Sequence, residues 1–271
     1  MSLPLLILTP HSSGQLPTQV MHQMLGEAVY DTQAREALQR RIFLDGDPYT
    51  DLLFLVPGAR TLNAPWSRFV VDLNRERPDT SDNGVVKRTG FDLQALYPDG
   101  TEPDTEDRLR LYWDSFDAQV RAELDMAELE RAELAGVPLS LLMVGHSMGM
   151  YGPALGPDHG QPRPALTLML GEGERTTFPQ ALTEPLRLAA EQAFSPVLSS
   201  AEVSRVAVND PWTTDNLSLR YGHARLPAFG LEINAGLYLT PDGQPRGERI
   251  QALNACLQVF AAAALELVDR P

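Results

Sequence analysis

The chain has 271 residues, 43% of them apolar, enough to bury the core of one large domain. Lys and Arg number 22 against 36 Asp and Glu, a formal charge of −14 that excludes a nucleic-acid backbone or an anionic membrane surface as partner, since both need a cationic face. The one cysteine, Cys256, excludes an intrachain disulfide and a thiolate-based zinc cage.

The first predicted strand is "LLILTP" (5–10), a continuous apolar run of the kind buried on both faces. No basic leader precedes it, and no run approaches the roughly 20 apolar residues of a membrane-crossing helix, so a cytoplasmic protein is expected. The strand runs into "PHSSG", which places His11 just past its end. A helix pattern containing His22 follows, and then "DGDPYTD" with Asp47 and Asp51. The second predicted strand is "FVVDLN" (69–74), whose end carries Asp72, Asn74 and Arg75. Residues 76–107 are polar and rich in turn formers, and read as a surface excursion within a single 1–271 domain.

A helix is predicted from "EPDTEDRLRL": Pro103 suits the first turn and the acidic residues suit the N-terminus. Leu109, Tyr112, Phe116, Val120 and Leu124 form one stripe along it before Gly136-Val137-Pro138 stops it. Strand "LSLLMVG" (139–145) then enters "GHSMG", with His146 and Ser147, and a Gly/Pro loop holding His159. His22 and His159 read as solvated or structural. Further strands are expected at "ALTLML" (165–170), "RVAVND" (205–210) and "FGLEIN" (229–234), the last two carrying Asn209 and Glu232 near their ends. The final helix, "ERIQALNACLQVFAAAALEL", turns Ile250, Leu253, Leu257, Phe260 and Ala264 inward and holds Cys256 as a buried thiol. Strands alternating with helices imply an α/β fold with a mixed, mostly parallel central sheet flanked by helices. Ligands bind such sheets beyond the carboxyl ends of strands, where two histidines, an arginine and a carboxylate gather.

"GHSMG" admits two readings. As G-x-S-x-G it is a nucleophile elbow with Ser147 as the attacking group, and Asp210 or Asp215 with His223 would complete a triad in the right order. An elbow turns sharply into a helix, whereas this motif runs into "MYGPALGPDHGQPRP", which cannot be helical. As strand-then-His-Ser it repeats the pattern at His11, and two imidazoles on neighbouring strand ends can converge on one ion. Each histidine alone reads more simply as a loop residue held by hydrogen bonds; the repetition is what favours a metal.

The pieces "PHSSG", "DPYTDLLF", "SRFVVDLNR", "HSM", "LGEGERTTF", "NDPW" and "LEINAGLYL", in that order from residue 10 to about 240, resemble the N-formylglutamate amidohydrolases. That family looks like a branch of the zinc carboxypeptidase-type hydrolases, three-layer α/β sandwiches, and its members are metal-dependent amidases that release formate from N-formyl-L-glutamate. The resemblance implies His11 and His146 as ligands of one divalent ion, expected to be zinc, with a carboxylate from "DGDPYTD" as third. A carboxypeptidase-like H-x-x-E would put that carboxylate at position 14, which is Gly14 here. Asp47, just before Pro48, also suits a helix N-cap, which favours Asp51 as the ligand. Glu232 resembles the family's catalytic glutamate, the base for a metal-activated water.

Arg75 can hold a substrate carboxylate through two parallel hydrogen bonds, with Asn74 as a neutral donor beside it. Arg68 can polarise the scissile carbonyl, bind a second carboxylate, or simply pair with Asp72, which in turn can orient a ligand histidine. Ser147 and Asn209 complete the residues expected to face the substrate, a small N-acyl amino acid. Three departures from the family pattern bear on that substrate: Val144-Gly145 before "HSM", Ala235 after "EIN", and "NDPWTTDNLSLRYG" after the fifth strand. They leave the amidohydrolase class in place and open the choice of N-acyl amino acid. A catalytically silent carboxylate-binding relative is the remaining alternative.

Overall fold

The computed structural model describes residues 2–133 and 138–269. In chain order the first half holds β1 (Leu5–Thr9), α1 (Thr18–Leu25), α2 (Thr32–Leu44), α3 (Thr50–Leu53), β2 (Arg60–Asn63), α4 (Thr105–Arg108) and α5 (Asp114–Glu133). The second half holds β3 (Leu141–Met148), β4 (Pro164–Met169), α6 (Thr183–Leu198), β5 (Val203–Val208), α7 (Asn216–Tyr221), β6 (Ala228–Asn234) and α8 (Gly247–Val268). The six strands form one sheet in the order β2-β1-β3-β6-β4-β5. β2, β1, β3 and β6 are parallel; β4 runs antiparallel to β6, and β5 parallel to β4. The mixed α/β sheet flanked by helices is the expected one.

Apolar side chains alternate to the two faces of these strands and build two cores. Leu5, Ile7, Leu141, Met143, Phe229 and Leu231 face α6 and α8, whereas Leu6, Leu8, Leu142, Val144 and Ala228 face α5 and α7. α8 is in fact long and apolar enough to cross a bilayer, contrary to the expectation that no run is. Its Ile250, Leu253, Leu257, Phe260 and Ala264 are buried in the first core, against α6. The α5 helix is continuous with α4 through a π-turn at Leu109–Trp113, with Asp104 accepting from the Asp107 N–H at the start. Its stop at Gly136-Val137 lies outside the described residues.

Two expectations about strands need correction. Residues 69–74 are not a strand: Phe69 and Val70 pack on the α1–α2 side and Val71 and Leu73 on the α5 side, so the run is apolar because it is sandwiched, not because it pairs. The edge strand is instead β2, "RTLN", whose half-exposed residues carry no buried-strand signal. Residues 76–107 are also more than surface: Val85, Val86, Lys87, Leu96 and Tyr97 are buried beneath them.

Gly145 explains the first glycine of "GHSMG" without an elbow. A Cβ there would lie 2.5 Å from the Phe54 ring at the end of α3. The bare strand lets α3 close on β3, and the residues just before α3 are thereby brought against His146.

Candidate active site

His11, two residues past β1, and His146, on the neighbouring β3, stand with ring centroids 5.1 Å apart. Their Nδ1 atoms both point at one oxygen, Asp47 Oδ2, at 3.0 and 2.9 Å. Their Nε2 atoms are each held at 2.8 Å by a different carboxylate, Asp72 Oδ1 for His11 and Asp215 Oδ2 for His146. All of these side chains are buried.

Each ring is flanked by two carboxylates, which only accept. A neutral ring that donates Nε2–H to Asp72 or Asp215 turns a bare lone pair at Asp47, an arrangement that needs a cation among the three atoms; a protonated ring donates from both nitrogens and supplies that positive charge itself. His11, Asp47 and His146 offer one ligand atom each within 4.8 Å of one another, a donor set of two imidazoles and a carboxylate suited to a divalent ion. The electrostatics agree. Burial raises the Asp47 pKa, but the two imidazoles outweigh it and hold the carboxyl below its ordinary range. Burial disfavours protonated His146, yet Asp215 and Asp47 together push its pKa well up, the mark of a site demanding positive charge.

Each anchor is itself fixed. Asp215 is the N-cap of α7 and accepts from the Ser218 N–H at 2.6 Å. Asp72 is fully buried and saturated: Oδ1 also accepts from the Asn74 N–H, and Oδ2 accepts from Arg68 at 2.8 Å and Lys87 at 3.0 Å. Burial raises the Asp72 pKa, but Arg68 and Lys87 overcome it and keep the group ionised.

Glu232 stands on β6 in register with His146, on the same face of the parallel pair. Its Oε2 is buried with no hydrogen-bond partner among the described residues. Burial raises its pKa to about 7, against the lowering pull of His146. His11, Asp47, His146, Glu232, Arg68, Asn74, Arg75 and Ser147 all line one cavity of about 330 Å³, within the range of small-molecule sites.

The cavity corrects several expectations. Asp47, not Asp51, joins the histidines: Tyr49 takes a left-handed backbone (φ 64°) before α3, and Asp51 stands half-buried in the helix outside the cluster. Asn209 does not face the cavity. β5 runs opposite to β1, β3 and β6, so its carboxyl end lies at the other end of the sheet, where Asn209 bonds Leu170 N–H and the Gly171 carbonyl. Asn74 lines the cavity, but its Oδ1 caps α7 through the Asn216 and Leu217 N–H groups. Arg68 pairs with Asp72, and with Asp47 at 3.6 Å. Ser147 lies inside β3, which continues to Met148 without turning into a helix. His223 accepts from the Arg225 N–H, and among the described residues no histidine bonds Ser147.

Two site residues had no sequence signal. Lys87 hides in the polar segment after two valines, and Arg163 precedes β4 in "QPRP". Only the tertiary fold brings either to the site. Lys87→Met should weaken divalent-metal affinity about 10–100-fold, because Asp72 then holds His11 less firmly. Competition against a chromogenic chelator measures this; unchanged affinity would remove Lys87 from the support of the site.

A family model described as N-formylglutamate amidohydrolase matches residues 3–239. An N-formylglutamate deformylase of Pseudomonas aeruginosa is 31% identical over 163 residues, 56% of this chain and 54% of that protein. Another, of Pseudomonas putida, is 32% identical over 134 residues, 45% of this chain and 46% of that protein. The chain thus spans about half the length of the curated relatives it matches. Among solved structures, an N-formylglutamate amidohydrolase from Ralstonia eutropha superposes with a TM-score of 0.68 over 98% of this chain and 94% of that one, at 21% identity, a likeness of fold.

Proposed function

The chain belongs to the N-formylglutamate amidohydrolase family, and on that premise we propose that it hydrolyses the amide bond of an N-acyl amino acid, a class that includes N-formyl-L-glutamate, using one divalent ion. The observation that carries this reading is the convergence of two anchored imidazoles on a single Asp47 oxygen. A divalent ion held by His11, Asp47 and His146, with zinc as the best-suited choice, supplies Lewis acidity toward water and an amide carbonyl.

The rest of the work falls to the chain's own groups. Glu232, beside His146 and with a free Oε2, takes a proton from the attacking water and returns it to the leaving amine. The water oxygen adds to the carbonyl carbon, and the C–N bond then breaks as the nitrogen takes up the proton, giving a carboxylic acid, formic acid from a formyl substrate, and a free amino acid. Arg75, on the cavity wall, binds the substrate carboxylate and orients the scissile bond toward Glu232. Arg68 stays with Asp72 and Asp47 and holds those carboxylates in place. Asp72 and Asp215 keep both imidazoles in the tautomer that leaves Nδ1 free.

The test is formate release from a panel of N-formyl amino acids by zinc-loaded protein. Activity should vanish on chelation and in His146→Ala, and persist in Ser147→Ala. Activity lost in Ser147→Ala but insensitive to chelation would return the serine hydrolase reading.

A further inference from the structure

The charges around the cavity are not free in equal measure. Three arginines line it, Arg68, Arg75 and Arg163. Arg68 is already shared between Asp72 and Asp47. Arg163 is spent twice: its Nε and one terminal nitrogen make a bidentate pair with Asp158 at 2.6 and 2.9 Å, and its planar face stacks on Trp212 at 4.5 Å. Arg75 alone of the three has no ion pair among the described residues: its bonded partners are the neutral carbonyls of Asn74 and Asn83, and Asp72 acts on it only at longer range. Against it, Asp45 lines the same cavity, its carboxylate within the field of Arg41 and Arg68 but in no direct ion pair among the described residues.

One free guanidinium recognises one carboxylate. A second carboxylate on the substrate would meet Asp45 and two occupied arginines. An uncharged side chain instead meets apolar wall formed by Met148, Tyr151 and Leu155, beside the Phe91 and Trp212 rings that carry Arg68 and Arg163 on one face. We infer that the site prefers N-acyl derivatives of amino acids with apolar side chains over those of dicarboxylic amino acids, and that the Arg163–Asp158 pair sets this choice. The inference rests on the N-acyl amino acid reading above and narrows it.

The experiment compares N-formyl-L-methionine with N-formyl-L-glutamate, two side chains of similar length and different charge. It measures kcat/KM on zinc-loaded protein and calorimetric binding to the metal-free protein, for the wild type, Asp158→Asn and Arg75→Met. The wild type should favour the methionine derivative by about tenfold or more, the scale on which pocket contacts discriminate. Asp158→Asn frees Arg163 and should shift the ratio toward glutamate about tenfold, and Arg75→Met should weaken both ligands. A wild-type preference for glutamate overturns the inference even if Asp158→Asn does not fold, as does an unchanged ratio in a folded Asp158→Asn. Binding in the expected order without cleavage would sink the hydrolase and leave the pocket assignment standing. Cleavage with glutamate preferred would do the reverse, and binding of neither overturns both.

Discussion

Replacing Glu232 by glutamine is expected to lower kcat for amide hydrolysis about 10²–10⁴-fold, with bound metal and KM little changed. Glutamine keeps the shape of the side chain and removes only its capacity to take up and return a proton. The neutral isostere suits the surroundings, because burial already raises the Glu232 carboxyl to a pKa of about 7. The same shift fixes the sign of the pH dependence. A protonated carboxyl accepts no proton, so the wild-type kcat should rise with pH as Glu232 loses its proton, a titration that a bound divalent ion moves down from its metal-free position. The variant should lack that limb. A pH profile of kcat for both proteins checks this; equal rates and equal profiles would remove Glu232 from proton transfer.

Asp47→Asn is expected to abolish stoichiometric metal binding, and hydrolysis with it. The substitution keeps the volume but leaves the two imidazoles facing a neutral amide, so the site loses its anionic ligand. Added zinc at a hundred times its Kd stabilises a native site by about 2.7 kcal/mol, which shows as a rise in Tm. The wild type and Asp51→Asn should both show that rise, and Asp47→Asn should not. Retention of metal by Asp47→Asn with loss in Asp51→Asn would reverse the assignment of the ligand.

The fold class was legible because five of the buried runs are true strands and their apolar residues do fill both faces of the sheet. The direction of a strand is not written in such a run. β4 and β5 look like β3 and β6 in composition, and only their antiparallel placement shows that Asn209 lies at the wrong end. His11, His146 and Glu232 were legible because each stands at or near the end of a strand in the parallel set. Asp47 was not separable from Asp51, since the choice depends on the left-handed turn at Tyr49 and on how closely α3 approaches Gly145. Lys87, Asp215 and Arg163 act across sequence gaps that no local pattern spans: Asp215 is 69 residues from the histidine it holds.

Those gaps bear on when the ion can be captured. Asp47 is 36 residues from His11 and 99 from His146, so no short stretch of chain resembles the closely spaced ligands of a zinc finger. A newly made chain presents the three ligands as isolated side chains. They meet only where β1 and β3 pair and α3 docks, so a divalent ion would be captured late rather than nucleate folding. A bound ion would then hold shut a structure that is already built, and its contribution would belong to the unfolding barrier rather than to the speed of folding.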